Sequence, residues 1–105
     1  MAEKRAFPRK KKRLIVDFLI DGRSFTGFTR DLSFTGLFIS SSWTPKVGET
    51  LSASLHLPDG RKVSCEGRVV RARRVPTAFA HTEPSGFSVK LSSYFEDYCR
   101  EVGAL

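Results

Sequence analysis

The sequence offers little from which to build a metal centre, a disulfide framework or a membrane span. Its two cysteines, Cys65 and Cys99, and its two histidines, His56 and His81, stand isolated and in no ligand spacing. Two cysteines are too few to staple a chain of this size, so both read as buried thiols in a reducing compartment. No apolar run approaches the ~20 residues of a membrane span, and no signal-peptide core follows the basic start, which points to the cytoplasm. No glycine-rich phosphate loop precedes a helix, and no nucleophile–base–orienter set is visible. The expectation is a chain that is no enzyme, holds no metal and needs no cofactor, with both histidines at the surface or rim. Acids are also in short supply, with 11 Asp and Glu against 18 Lys and Arg, a net charge of +7. Such an excess attracts anions without choosing among phosphates, nucleic acid and acidic surfaces.

What is present fits one small domain. The chain has 105 residues, 40% of them hydrophobic and nine of them phenylalanine, enough for a modest core. Residues 1–13 form a basic arm, Lys4, Arg5, Arg9, Lys10, Lys11, Lys12 and Arg13 against the single acid Glu3. Pro8 forbids a helix through its centre, so the arm is expected to be extended and mobile until an anion orders it. Residues 14–105 then read as the folded body. Leu14 to Ile20 is a β-branched and aromatic strand, and Asp21-Gly22 a hairpin turn. A second strand spans Ser24 to Arg30, an interruption spans Asp31 to Gly36, and extended structure resumes from Leu37 to Ser41. Apolar alternation at Leu51, Ala53, Leu55 and Leu57, and again at Val63, Cys65, Gly67 and Val69, marks two half-buried strands joined by the turn Pro58-Asp59-Gly60. Residues 74–85 read as a loop, and Phe87, Val89 and Leu91 lie on one face of a further strand.

The period then changes. Tyr94, Phe95, Tyr98, Cys99 and Val102 recur at helical spacing, Ser93 with Glu96 matches a capping box, and Gly103 suits a stop, which predicts a helix over 93–102 packed by its aromatic stripe. The fold class is therefore mainly β: a small antiparallel β-barrel of six or so strands with one C-terminal α-helix. Trp43, beside Pro45 in a loop, could plug the barrel end or be exposed. Arg68, Arg71, Arg73 and Arg74 make a second basic group, with Arg71 and Arg73 on one strand face. It is a solvated face, an additional phosphate contact or a docking patch for an acidic partner.

Two motifs stand one hairpin apart. Arg5-Ala6-Phe7-Pro8-Arg9 is an RxxxR, and Asp31-Leu32-Ser33-Phe34-Thr35-Gly36 is a DxSxxG. Together, and with the FPR ending of the first motif and Gly36-Leu37-Phe38-Ile39 closing the second, they resemble the PilZ domain, a bacterial receptor module for cyclic di-GMP. The likeness spans nearly the whole chain. It implies cyclic di-GMP as ligand and a downstream protein as partner, with Arg5 and Arg9 holding phosphate and guanine edges. Asp31 and Ser33 would read a guanine, and Gly36 would serve through its backbone. Lys4, Lys10 and Arg71 are possible accessory contacts, Lys4 for a second, stacked ligand molecule.

The chemistry suits these roles. An arginine fork can meet phosphate oxygens or guanine O6 and N7, and a carboxylate can accept from guanine N1–H and N2–H₂. Ordering of the arm over residues 4–12 would create the output surface, at a cost in affinity. The competing readings are a small basic barrel binding single-stranded nucleic acid, which the paired motifs make the weaker, and a ligand-blind PilZ-like interaction module. A monomer or weak dimer is expected.

Overall fold

The fold is taken from a computed structural model that describes residues 10–73, 85–92 and 95–104. Seven strands and one helix follow in order: β1 Lys10–Lys11, β2 Ile15–Ile20, β3 Arg23–Leu32, β4 Gly36–Ser40, β5 Thr50–His56, β6 Lys62–Arg73, β7 Gly86–Leu91 and α1 Glu96–Ala104. Every pairing is antiparallel. The order runs β3-β2-β5-β6-β7-β4, and β4 pairs back onto β3, so six strands close a barrel. The short β1 lies outside it and, among the described residues, pairs with the end of β3.

Closure follows from alternation and from turns that only certain residues allow. Asp21 and Gly22 both take positive φ, 52° and 77°, the mirror-image turn whose twist matches the strands it joins. Gly60 turns β5 into β6 with φ of 93°. Val16, Phe18 and Ile20 of β2, Leu51, Ala53 and Leu55 of β5, and Val63, Cys65 and Val69 of β6 all point inward and are buried. Phe18 meets Phe87 edge-on at 5.2 Å and stacks on Phe25 at 5.5 Å. Trp43 lies flat on Phe25, 4.1 Å between ring centroids, and so fastens its loop to the core.

The elements depart from the sequence reading at three places. The second strand runs two residues further than expected, so Asp31 and Leu32 belong to β3 and only Ser33 to Thr35 turn. Lys10 and Lys11 are hydrogen-bonded strand, not loose arm. The helix occupies Glu96–Ala104, starting later than 93 and running through Gly103. Ser93 and Tyr94 lie outside the described residues, as do Arg74, His81 and most of the 74–85 loop. Tyr98, Cys99 and Val102 are buried, as the helical spacing requires, and Phe95 packs against the core from just before the first turn. No described helix is long and apolar enough to cross a membrane.

Candidate functional site

The DxSxxG segment is built as a tight turn held from below. The Ser33 amide donates to the Gly36 carbonyl at 2.8 Å, and the Ser33 hydroxyl donates to the same oxygen at 3.2 Å. That hydroxyl also accepts from the Thr35 amide at 3.4 Å, the geometry that makes serine a turn former. Ser33 is 2% exposed, so its side chain is used inside the turn. Underneath, the Tyr98 hydroxyl of α1 donates to the Ser33 carbonyl at 2.7 Å and approaches that of Gly36 at 3.3 Å. A buried phenol needs such an acceptor, and a buried turn carbonyl needs such a donor. Gly36 is required for close approach: a Cβ there would stand 2.4 Å from the Val89 carbonyl oxygen of β7.

Asp31 reaches the outer face through an irregularity. Gly27 and Thr29 face inward on β3, so strict alternation would turn Asp31 inward too. The register shifts between Thr29 and Asp31, and the extra residue, Arg30, lets both Arg30 and Asp31 leave the core while Leu32 is buried. The buried Thr29 hydroxyl accepts from the Leu14 amide at 2.8 Å and donates to the Lys12 carbonyl at 2.7 Å. It thereby fixes the path by which the arm leaves the barrel. From there Lys11 pairs with Asp31 and Lys10 with Leu32.

A second bulge does the same for Arg71. On β6 the register shifts between Val69 and Arg71, which turns Arg71 outward on the side that Arg68 already occupies. The pairings Asp31↔Phe38, Phe38↔Ser88 and Ser88↔Arg71 then form one lateral row over β3, β4, β7 and β6. With strands about 4.8 Å apart, the row spans at most roughly 14 Å. Phe38 lies at its middle, half-buried, with its ring folded over Gly86, where a Cβ would come within 2.6 Å of the ring.

Of the expected site residues, Asp31, Ser33, Gly36 and Arg71 are thus gathered on or just beneath one face. Lys10 is directed elsewhere, its Nζ donating to the Gly103 carbonyl at 3.2 Å at the end of α1, where carbonyls lack intrahelical partners. Arg5, Arg9 and Lys4 lie outside the described residues. A surface groove of about 940 Å³ runs over neighbouring strands and is lined by none of Asp31, Ser33 and Arg71. Sequence reasoning missed Thr29, Phe38 and Tyr98. A polar residue at an inward position of a strand was the available signal for Thr29; nothing in the sequence singled out the Tyr98 hydroxyl.

His56, expected at the rim, is half-exposed and meets Asp17 across β2 and β5, Nε2 to Oδ2 2.7 Å. That bond, and a second from Thr26 Oγ1 at 2.8 Å, hold the Asp17 carboxyl below its ordinary 3.8. Burial pushes the Cys65 thiol up to about 12.

The sequence matches the model of the PilZ domain over residues 3–98. The chain belongs to the PilZ domain family. Among solved structures it is similar to the Bacillus subtilis inhibitor of motility MotI/DgrA, with TM-score 0.73 and 17% identity over 98% of this chain and 53% of that one. The chain thus spans about half of MotI/DgrA. It is also similar to the PilZ domain of CeSA from a cellulose-synthesizing bacterium, with TM-score 0.64 and 18% identity over 90% of each chain. At these identities the likeness is one of fold. No curated protein matches the sequence. PilZ domains in general are receptor and adaptor modules for cyclic di-GMP, and the closed six-strand barrel with one strand outside it and a C-terminal helix is their fold.

Proposed function

We propose that this PilZ domain binds cyclic di-GMP between its basic arm and the outer face around Asp31, acting in the cytoplasm as a non-enzymatic receptor for a protein partner. The observation that carries the reading is the β1–β3 pairing. Lys11 is held against Asp31 and Lys10 against Leu32, and Arg9 is bonded to Lys10, one Cα step of about 3.8 Å away. The residues that directly follow the RxxxR motif in sequence therefore run beside the DxSxxG turn, although the two motifs are separated in sequence by a whole hairpin.

On this reading Arg5 and Arg9 clamp phosphate and guanine edges, Asp31 accepts from a guanine, and Ser33 and Gly36 hold the turn that presents it. Arg71 supplies a further cation at the far end of the Asp31–Phe38–Ser88 row. Lys4, next to the first arginine in sequence, helps hold a second, stacked ligand molecule. Ligand orders the residues before Lys10, and the surface so formed is the output.

Calorimetry with cyclic di-GMP on the full chain and on Arg9→Ala tests the proposal. Loss of a charge-assisted bidentate contact should weaken binding by about 2 kcal/mol. Equal heats from both proteins would remove Arg9 from the site. Absence of heat from the native chain at millimolar nucleotide would make this a ligand-independent member of the family.

A further inference from the structure

The barrel carries a second feature on its outside, separate from the motif. A groove of about 940 Å³ crosses β2, β5, β6 and β7, between Leu19 at one margin and Val70 and Lys90 at the other. Both flanking aliphatic side chains are half in solvent, Leu19 at 48% and Val70 at 49%. Val70 faces outward by the alternation of β6, and as the extra residue of the bulge it is followed by a second outward side chain, Arg71.

The charges in the groove are unusual. Arg68 of β6 pairs directly with Lys90 of β7. Like charges opposite one another on neighbouring strands repel and weaken the sheet. Neither makes an ion pair among the described residues, although Glu66 stands two positions before Arg68 on the same face. Because the barrel is closed, these inner strands offer no free edge for strand addition. A partner can engage here only through side chains. Apolar side chains beside two directly opposed cations call for an apolar surface whose carboxylates meet that pair, while the groove's own carboxylates, Asp21 and Glu66, stand on the Leu19 side.

We propose that this groove docks an acidic segment of a partner protein, which sets apolar side chains over Leu19 and Val70 and carboxylates against Arg68 and Lys90. The site is independent of the nucleotide reading. It nevertheless lies one register step away, since Lys90 also pairs with Gly36 of the DxSxxG turn.

Fluorescence anisotropy with a short fluorescein-labelled peptide alternating leucine and glutamate tests the proposal on the full chain. The peptide should bind. Arg68→Glu/Lys90→Glu should weaken it by about tenfold or more, and Leu19→Ser/Val70→Ser by about threefold or more. Cyclic di-GMP affinity and the far-UV circular dichroism should be unchanged in both. If charge reversal disturbs folding, Arg68→Gln/Lys90→Gln serves in its place. Failure of the native chain to bind the peptide overturns the proposal. So does equal binding of a glycine–glutamate peptide, or indifference to the Leu19/Val70 change, since either reduces the effect to attraction by net charge. Self-association that Leu19→Ser/Val70→Ser abolishes would assign the groove to a second copy of the chain. A fall in nucleotide affinity on charge reversal would assign Arg68 and Lys90 to the nucleotide.

Discussion

Single side chains in this barrel are assigned their chemistry by which side of the wall they occupy. Cys65, inward on β6, has its thiol pushed up to about 12 by burial, so almost no thiolate exists near neutrality. Iodoacetamide should therefore leave Cys65 unmodified in the native protein at pH 8 and label it in guanidinium, as read by mass spectrometry. Asp17, outward on β2, is held below its ordinary 3.8, first by its bond with His56 and then by that with Thr26. A lowered carboxyl stabilises the fold above its unfolded value and loses that contribution as pH falls through the folded one. Asp17→Asn should thus cost stability near pH 6 and less as pH falls toward 2, compared by urea titration at the two values. The pair is half-exposed, so the difference should stay below about 1 kcal/mol. Arg71 owes its outward position to one inserted residue. Its change to alanine should lower cyclic di-GMP affinity without lowering stability, because the side chain is exposed.

At the scale of elements, the C-terminal helix and the DxSxxG turn form one unit. Tyr98 joins the two through bonds to the Ser33 and Gly36 carbonyls in a fully buried site. Tyr98→Phe leaves those carbonyls without that donor and should cost about 1–3 kcal/mol in chemical denaturation. The same change should loosen the turn that presents Asp31, which calorimetry would register as weaker nucleotide binding. Gly36→Ala meets backbone rather than a yielding side chain, so it should destabilise more than an ordinary exposed glycine replacement. The bulges in β3 and β6 are devices of the same rank. Each breaks alternation once, and each break carries a polar side chain, Asp31 or Arg71, to the same outer row.

For the whole molecule, the proposed function gives the arm and the barrel separable tasks. Among the described residues the core is drawn from residues 14–102. A chain beginning at Lys10 should unfold at nearly the native denaturant concentration while losing cyclic di-GMP binding, with fluorescence-detected urea titration and calorimetry as the two readouts. Nucleotide bound to the native form alone should raise the unfolding midpoint of the full chain, and that rise should vanish in the shortened one.

The alternating strands, the Asp21-Gly22 turn, the helical stripe and the two motifs were legible in the order of residues, because periodicity and turn chemistry act between near neighbours. The family likeness was legible for the same reason: its signature is two short local patterns. The bulges were not, since an inserted residue becomes an irregularity only when a partner strand fixes the register. Nor was the use of Tyr98 beneath Ser33, or the meeting of Lys11 with Asp31. Those depend on barrel closure, which brings distant segments to one surface by hydrogen bonds that no local pattern encodes.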